Sequence, residues 1–188
     1  AANYAITYVD GGMTVTPRHI TVTAIGGSST YGDSPTNPGL SATNLASFEN
    51  TNPTTILTGL SNSFGITSTT NAGNHTLNVI GTLSNENYNV TSTSSGTWTV
   101  GAAALTITAD DQSKIYGDTF TFAGTEFTSV GLQNSETIGS VSLTSAGAIN
   151  TANAGNYAIV GANAAGGTFN AANYAITYVD GGMTVTPR

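Results

Sequence analysis

AANYAITYVDGGMTVTPR occupies residues 1–18 and returns, letter for letter, as residues 171–188. An identity of this length is not chance, and the fold is read outward from it. The chain is expected to be a window on an array with a unit of about 170 residues, its first and last segments being the same structural part of successive units. Within the stretch Tyr4, Ile6 and Tyr8 alternate with Ala5 and Thr7, Asp10-Gly11-Gly12 offers a turn, and Met13-Thr14-Val15-Thr16 alternates again. Period-two alternation around a Gly-rich turn predicts a β-hairpin over 3–18. Pro17 ends it, having no N–H to give to a ladder. The strand Ile20-Thr21-Val22-Thr23-Ala24 begins after only Pro17, Arg18 and His19, a connection short enough to make a stiff joint.

A second, weaker repeat lies inside the first. Ile20-Thr21-Val22-Thr23-Ala24 returns as Leu105-Thr106-Ile107-Thr108-Ala109, and Tyr31-Gly32-Asp33 as Tyr116-Gly117-Asp118. Asn71-Ala72-Gly73-Asn74-His75 answers to Asn153-Ala154-Gly155-Asn156-Tyr157, and Asn87-Tyr88-Asn89-Val90 to Asn173-Tyr174-Ala175-Ile176. The organisation expected is therefore residues 1–18 as the closing hairpin of a preceding module, 19–103 as module one and 104–188 as module two. An isolated hairpin is marginal in water. One expectation is that residues 1–18 or 171–188 complete the sheet of another module, in the same or an adjacent chain.

Each module reads as an opening strand (20–25; 105–110), the Tyr-Gly-Asp turn and a variable middle. A strand after Asn-Ala-Gly-Asn follows (75–81; 157–161), then a closing hairpin (87–92 with 97–101; 173–179 with 183–187). Short strands are expected at Gly65-Ile66-Thr67 and Ser140-Val141-Ser142-Leu143, with a helical turn near Gln133-Asn134-Ser135-Glu136. No segment keeps a 3.6-residue apolar period, so the fold class is all-β.

The opening Leu105-Thr-Ile-Thr-Ala-Asp-Asp-Gln-Ser-Lys-Ile-Tyr-Gly-Asp118, the central Asn153-Ala-Gly-Asn-Tyr157 and the closing Asn173-Tyr-Ala-Ile-Thr-Tyr with Met183-Thr-Val-Thr-Pro-Arg188 resemble the MBG-type repeat domains, including the YGX and YDG variants. The resemblance covers nearly all of module two; module one departs at Ile25-Gly26-Gly27-Ser28-Ser29 and at His75. It implies a β-grasp-like, mostly β module, stacked end to end as a rod or filament in the stalk of a large bacterial surface or secreted protein. It implies no particular ligand.

Composition narrows the function classes. Charged residues are 7% of the chain, with three Lys and Arg against ten Asp and Glu, and the apolar fraction is 38%. Three isolated cations, Arg18, Lys114 and Arg188, cannot neutralise a phosphate backbone, so nucleic acid is excluded as a partner. No apolar run approaches the ~20 residues of a membrane span. The absence of cysteine removes disulfides, zinc-thiolate sites and thiol catalysis together.

The candidate chemistry is sparse. Asp33 and Asp118 read as turn caps beside a glycine of positive φ, with the tyrosine packed inward, rather than as acids or metal ligands. Asp110-Asp111 has no counterpart in module one and no Asp-x-Asp-x-Asp loop, so it reads as a solvated loop rather than a calcium site. Lys114 reads as a surface lysine. His19 and His75 lack a nucleophile context, and Glu49, Glu86, Glu126 and Glu136 show no pairing that a glycosidase would need. The recurrent Thr-x-Thr reads as the solvent face of strands. Trp98 stands out as the possible ligand contact, because module two has Met183 in its place.

The chain is thus expected to be no enzyme, with no catalytic residue, metal or cofactor. It is expected to be the stalk or fibre repeat of an extracellular bacterial adhesin or biofilm-matrix filament, partnered by neighbouring identical repeats. The alternative is a carbohydrate-binding module for polysaccharide or host glycan, with Trp98 as its contact.

Overall fold

The structure is a computed structural model and describes residues 3–49 and 53–188. The strands run in chain order β1 (Arg18–Ala24), β2 (Gly27–Thr30), β3 (Leu40–Thr43), β4 (Leu60–Asn62), β5 (Gly73–Leu77), β6 (Val79–Gly81), β7 (Tyr88–Ser94) and β8 (Gly96–Gly101). They continue as β9 (Ala103–Ala109), β10 (Gln112–Ile115), β11 (Phe127–Val130), β12 (Ser140–Thr144), β13 (Gly155–Ala165), β14 (Tyr174–Val179) and β15 (Gly181–Thr186). A single helical turn, α1 (Pro53–Ile56), and a 3-10 turn at Ala171–Asn173 are the helical elements among the described residues. The fold class is all-β.

The topology occurs twice. In residues 104–188 and the strand leading into them the sheets are β11-β9-β14 and β10-β15-β13-β12; in the first half they are β3-β1-β7, β2-β8-β5 and the pair β4-β6. Strands β1, β2, β3, β7 and β8 take the places of β9, β10, β11, β14 and β15. Strands β5 and β6 divide the work of the unbroken β13, since Asn78 interrupts the run expected over 75–81.

The closing hairpin is corrected in both copies. Strands β14 and β15 do not pair with each other: β14 runs parallel to β9, and β15 runs parallel to β10. The register is the same in both, Tyr174 opposite Ala103 and Met183 opposite Gln112, so 174–186 is one long strand beside 103–115, bent midway. The Asp-Gly-Gly read as a turn is that bend. A Cβ on Gly181 would stand 2.4 Å from the Ala109 carbonyl oxygen, so only glycine allows the two backbones to meet there. The neighbouring Gly182 N–H donates to Asp111 Oδ1 at 2.6 Å, which fixes the bend from the facing strand. Strands β7 and β8 likewise pair separately, with β1 and β2, and both pairings are parallel.

The same eighteen letters have a different fate at the beginning of the chain. Residues 4–17 form no strand, and Tyr4, Tyr8, Val9 and Met13 are more than four-fifths exposed. Two smaller expectations also fail. Gly65-Ile66-Thr67 is not a strand, and the turn at 133–136 is left-handed rather than helical, with φ of 52° at Asn134 and 57° at Ser135. The strand expected around Ser140–Leu143 is β12.

The chain gathers into two compact units, one taking residues up to Ile25, Pro38–Ser63 and Leu77–Gly96, the other Gly26–Asn37, Phe64–Thr76 and Thr97–Arg188. The first is built on Ile20, Val22, Leu45, Ile56, Leu57 and Tyr88. In the second, alternation along β9 turns Leu105 and Ile107 inward with Val141, Ile159, Met183 and Val185. Removing a buried methionine side chain costs about 2–5 kcal/mol, whereas an exposed substitution stays within about 0.5 kcal/mol. Met183 is 0% and Met13 89% exposed, within identical sequence. Chemical denaturation at low protein concentration is therefore expected to show Met183→Ala losing that amount and Met13→Ala unchanged.

Candidate functional site: a tyrosine–glutamate joint

The most densely bonded polar cluster lies in the second unit, where the first Tyr-Gly-Asp turn meets the start of β14. Gly32 takes φ +96°, and the Asp33 carboxylate accepts the Thr30 N–H at 2.8 Å, so the turn is built as the sequence indicates. That geometry points Tyr31, only 4% exposed, at Tyr174. The rings meet edge to face, centroids 5.5 Å apart at 78°. A buried phenol needs a hydrogen-bond partner, and one carboxylate serves both. Tyr31 donates to Glu136 Oε1 and Tyr174 to Oε2, each at 2.5 Å. The Tyr174 oxygen also accepts the Gln133 N–H at 2.9 Å.

Burial, followed by the bond to Glu136, pushes the Tyr174 phenol up to about 12, and the same carboxylate, aided by burial, raises Tyr31. Around this centre Asn173, 2% exposed, accepts the Ala72 N–H at 2.9 Å and donates to Asn71 Oδ1 at 3.0 Å. Asn134 donates to the Ser68 carbonyl at 2.9 Å. A Cβ on Gly32 would come within 2.5 Å of Gln133, so the turn is pressed onto the loop that carries Glu136. The cluster is a joint, made of hydrogen bonds and ring packing.

Half of this arrangement recurs in the first unit. Tyr88 donates to the Glu49 carboxylate and accepts the Ala46 N–H at 2.9 Å, and Glu49 N–H closes its turn on Ala46 as Glu136 N–H does on Gln133. The bond to Glu49 raises the Tyr88 phenol above its ordinary 10.

The other residues singled out in the sequence are structural in placement. Trp98 is 6% exposed; its ring packs edge to face on Phe64 at 5.0 Å, and its N–H donates to Ser29 Oγ at 3.0 Å. Lys114 is not a surface lysine: it is buried, and Nζ donates to the carbonyls of Asp118 at 2.7 Å and Ile149 at 2.6 Å. Its place on β10 turns it inward, where carbonyls replace water. Asp111 is held to β15, as described. His75 Nε2 lies 2.9 Å from the Asn71 carbonyl, and Tyr157 donates to the Asn153 carbonyl at the same distance, so these two are equivalent. Glu126 accepts the N–H groups of Ala123, Gly124 and Thr125, and the first of these chiefly holds its carboxyl below the usual range. Among the described residues no group of three His, Asp or Glu is gathered to hold a metal, and no helix is long and apolar enough to cross a membrane.

Sequence reasoning weighs Glu136 and Glu49 only as glycosidase acids and gives them no structural role. Their signal was available: each stands three residues after the residue whose N–H reaches the tyrosine, Gln133 and Ala46, inside middles that otherwise match poorly.

Residues 105–184 match the family model of the MBG domain (YGX type). The Tyr-Gly-Asp at 116–118 falls within the match. A search of curated proteins finds no match.

Tyr174 supplies a pH test. Its folded pKa lies above the unfolded value near 10, so its contribution is fully present below pH 10 and is lost as pH rises towards about 12. Stability is expected to fall across that window, with a tyrosinate absorbance step that arrives late. Glu136→Gln keeps one acceptor oxygen and loses the charged one, which should cost about 1.5–3 kcal/mol in denaturation and move the late step back towards 10.

Proposed function

We propose that the chain is a structural repeat of an extracellular bacterial fibre or adhesin stalk, working as spacer and assembly unit, with neighbouring identical repeats as partners. The observation that carries this reading is the parallel pairing of the long strand 174–186 with 103–115. In an antiparallel closure the chain would leave where it entered. Parallel first and last strands put entry at Ala103 and exit at Thr186 at opposite ends, at most roughly 40 Å apart at about 3.3 Å per residue. Covalent repetition of such a module gains length, and each repeat contacts chiefly its neighbours. The MBG match supports the same reading, as does the joint at Glu136, which ties a turn from the first sequence repeat to the second. Modules at 19–103 and 104–188, with 1–18 as part of a preceding one, are the corresponding domain proposal.

The competing proposal, a polysaccharide-binding module with Trp98 as contact, needs an open ring face, and Trp98 is packed on Phe64. Negative-stain electron microscopy of the secreted full-length protein is expected to show fibres with an axial repeat matching two modules. Isolated globules would refute the stalk. Glycan-array binding that Trp98→Ala abolishes would establish the competing reading.

A further inference from the structure

The joint inside the second unit has two faces, and each recurs elsewhere without its partner. The first face is the Tyr-Gly-Asp turn with its neighbouring Asn-Ala. At 116–118 the turn has the same build as at 31–33: Gly117 has φ +96° like Gly32, Tyr116 N–H donates to Thr186 as Tyr31 N–H does to Gly101, both at 2.8 Å, and Asp118 N–H closes on Ile115 as Asp33 N–H does on Thr30. Yet Tyr116 is 43% exposed where Tyr31 is 4%. Ala154 is exposed where its counterpart Ala72 is half-buried, and Asn153 is exposed as Asn71 is.

The second face is the tyrosine–glutamate socket. In the first unit Tyr88 and the Ala46 N–H are set as Tyr174 and the Gln133 N–H are, and Tyr88 donates to one oxygen of Glu49, Oε2. Glu136 gives its other oxygen to Tyr31. Asn87, the counterpart of the buried Asn173, is exposed. Beside Tyr88 and Glu49 opens a cleft of about 540 Å³, bordered also by Pro17, Arg18, Phe48 and Asn87.

We infer that this cleft receives the Tyr116-Gly117-Asp118 turn of a second copy of the chain, reproducing between molecules the joint that the second unit makes within itself. Tyr116 of one copy donates to the Glu49 oxygen that Tyr88 does not use in the other and meets Tyr88 edge to face. Asn87 takes the Ala154 N–H and Asn153 side chain, as Asn173 takes those of Ala72 and Asn71. Each copy brings a Thr-Pro-Arg to the joint, 16–18 and 186–188. Pro187 and Arg188, exposed and outside any strand, give way. Turn and socket are different surfaces, so the contact is head-to-tail and extends into an open series rather than closing as a two-fold dimer. This partner rests on the structural-repeat reading above.

The experiment is analytical ultracentrifugation of the whole chain over a wide concentration range, comparing wild type, Tyr116→Ala and Glu49→Ala. Tyr116 is exposed and Glu49 half-buried, and circular dichroism checks that each variant folds. Wild type is expected to form a growing series of oligomers. Each variant should weaken association about tenfold or more, the scale of one charged hydrogen bond with its ring contact. Mixed together, the variants should pair through the one intact turn and the one intact socket, and stop at dimers. A wild type that stays monomeric throughout, or variants that assemble as wild type does, would overturn the inference. Loss of assembly on deleting residues 1–18, with Tyr116→Ala assembling normally, would also overturn it and assign assembly to strand replacement. Fibres in microscopy unaffected by either variant would leave the stalk reading standing while removing this joint.

Discussion

Everything in the second unit hangs on the parallel ladder between 103–115 and 174–186. A parallel pair cannot be closed by a tight turn and needs a long crossover, and the chain from Tyr116 to Asn173 is that crossover. Strand β11 pairs antiparallel with β9 on one flank, and β13 pairs antiparallel with β15 on the other. The register is held because a slip of one residue would turn Leu105, Ile107, Met183 and Val185 to solvent together. The bend at Gly181 then lets one strand serve two sheets, giving its first half to β9 alone and its second to both β10 and β13. The first unit and the sheet β2-β8-β5 repeat these pairings with different side chains, so pairing order is more constant than sequence.

The ladder also explains why a charge-poor chain spends a carboxylate at Glu136. The start of β14 brings Tyr174 to one end of the sheet, where its ring is buried but its hydroxyl must still be satisfied. A backbone N–H from Gln133 meets the oxygen's acceptor capacity, and a carboxylate meets its proton. The carboxylate has a second oxygen to offer, and the incoming Tyr31 uses it. One acidic side chain thereby satisfies two buried phenols. The raised phenol pKa is the mark of the same arrangement, since burial disfavours the phenolate and the bond to Glu136 holds the proton on the Tyr174 oxygen.

Strand content and turn chemistry were legible because they are local. Alternation placed β1, β9, β7, β14 and β12, and the glycine of Tyr-Gly-Asp needed the positive φ it has. Pairing was not legible. Asp180-Gly181-Gly182 carries the same residues whether the chain reverses or bends, and the choice is made by strand 103–115, far off in sequence. Trp98 stands out for being unlike Met183, and both positions turn inward. Lys114 was misjudged because a lysine surrounded by Gln, Ser and Ile looks exposed until β10 is known to be a strand. The contrast between Tyr31 and Tyr116 lies beyond any reading of the motif, because it is a difference in what faces them.

The duplicated eighteen residues isolate that point. Their composition, alternation and β propensity are held constant by identity, yet residues 174–186 are strand and residues 4–17 are not. What differs is the supply of neighbours: strand 103–115 and β13 for one copy, no ladder for the other. Propensity of this kind is a fit to a pleated, half-buried surface, and it has no effect until such a surface is presented. The Tyr-Gly-Asp turn makes the same point: its tyrosine is 4% exposed at 31, where Tyr174 and Glu136 meet it, and 43% exposed at 116.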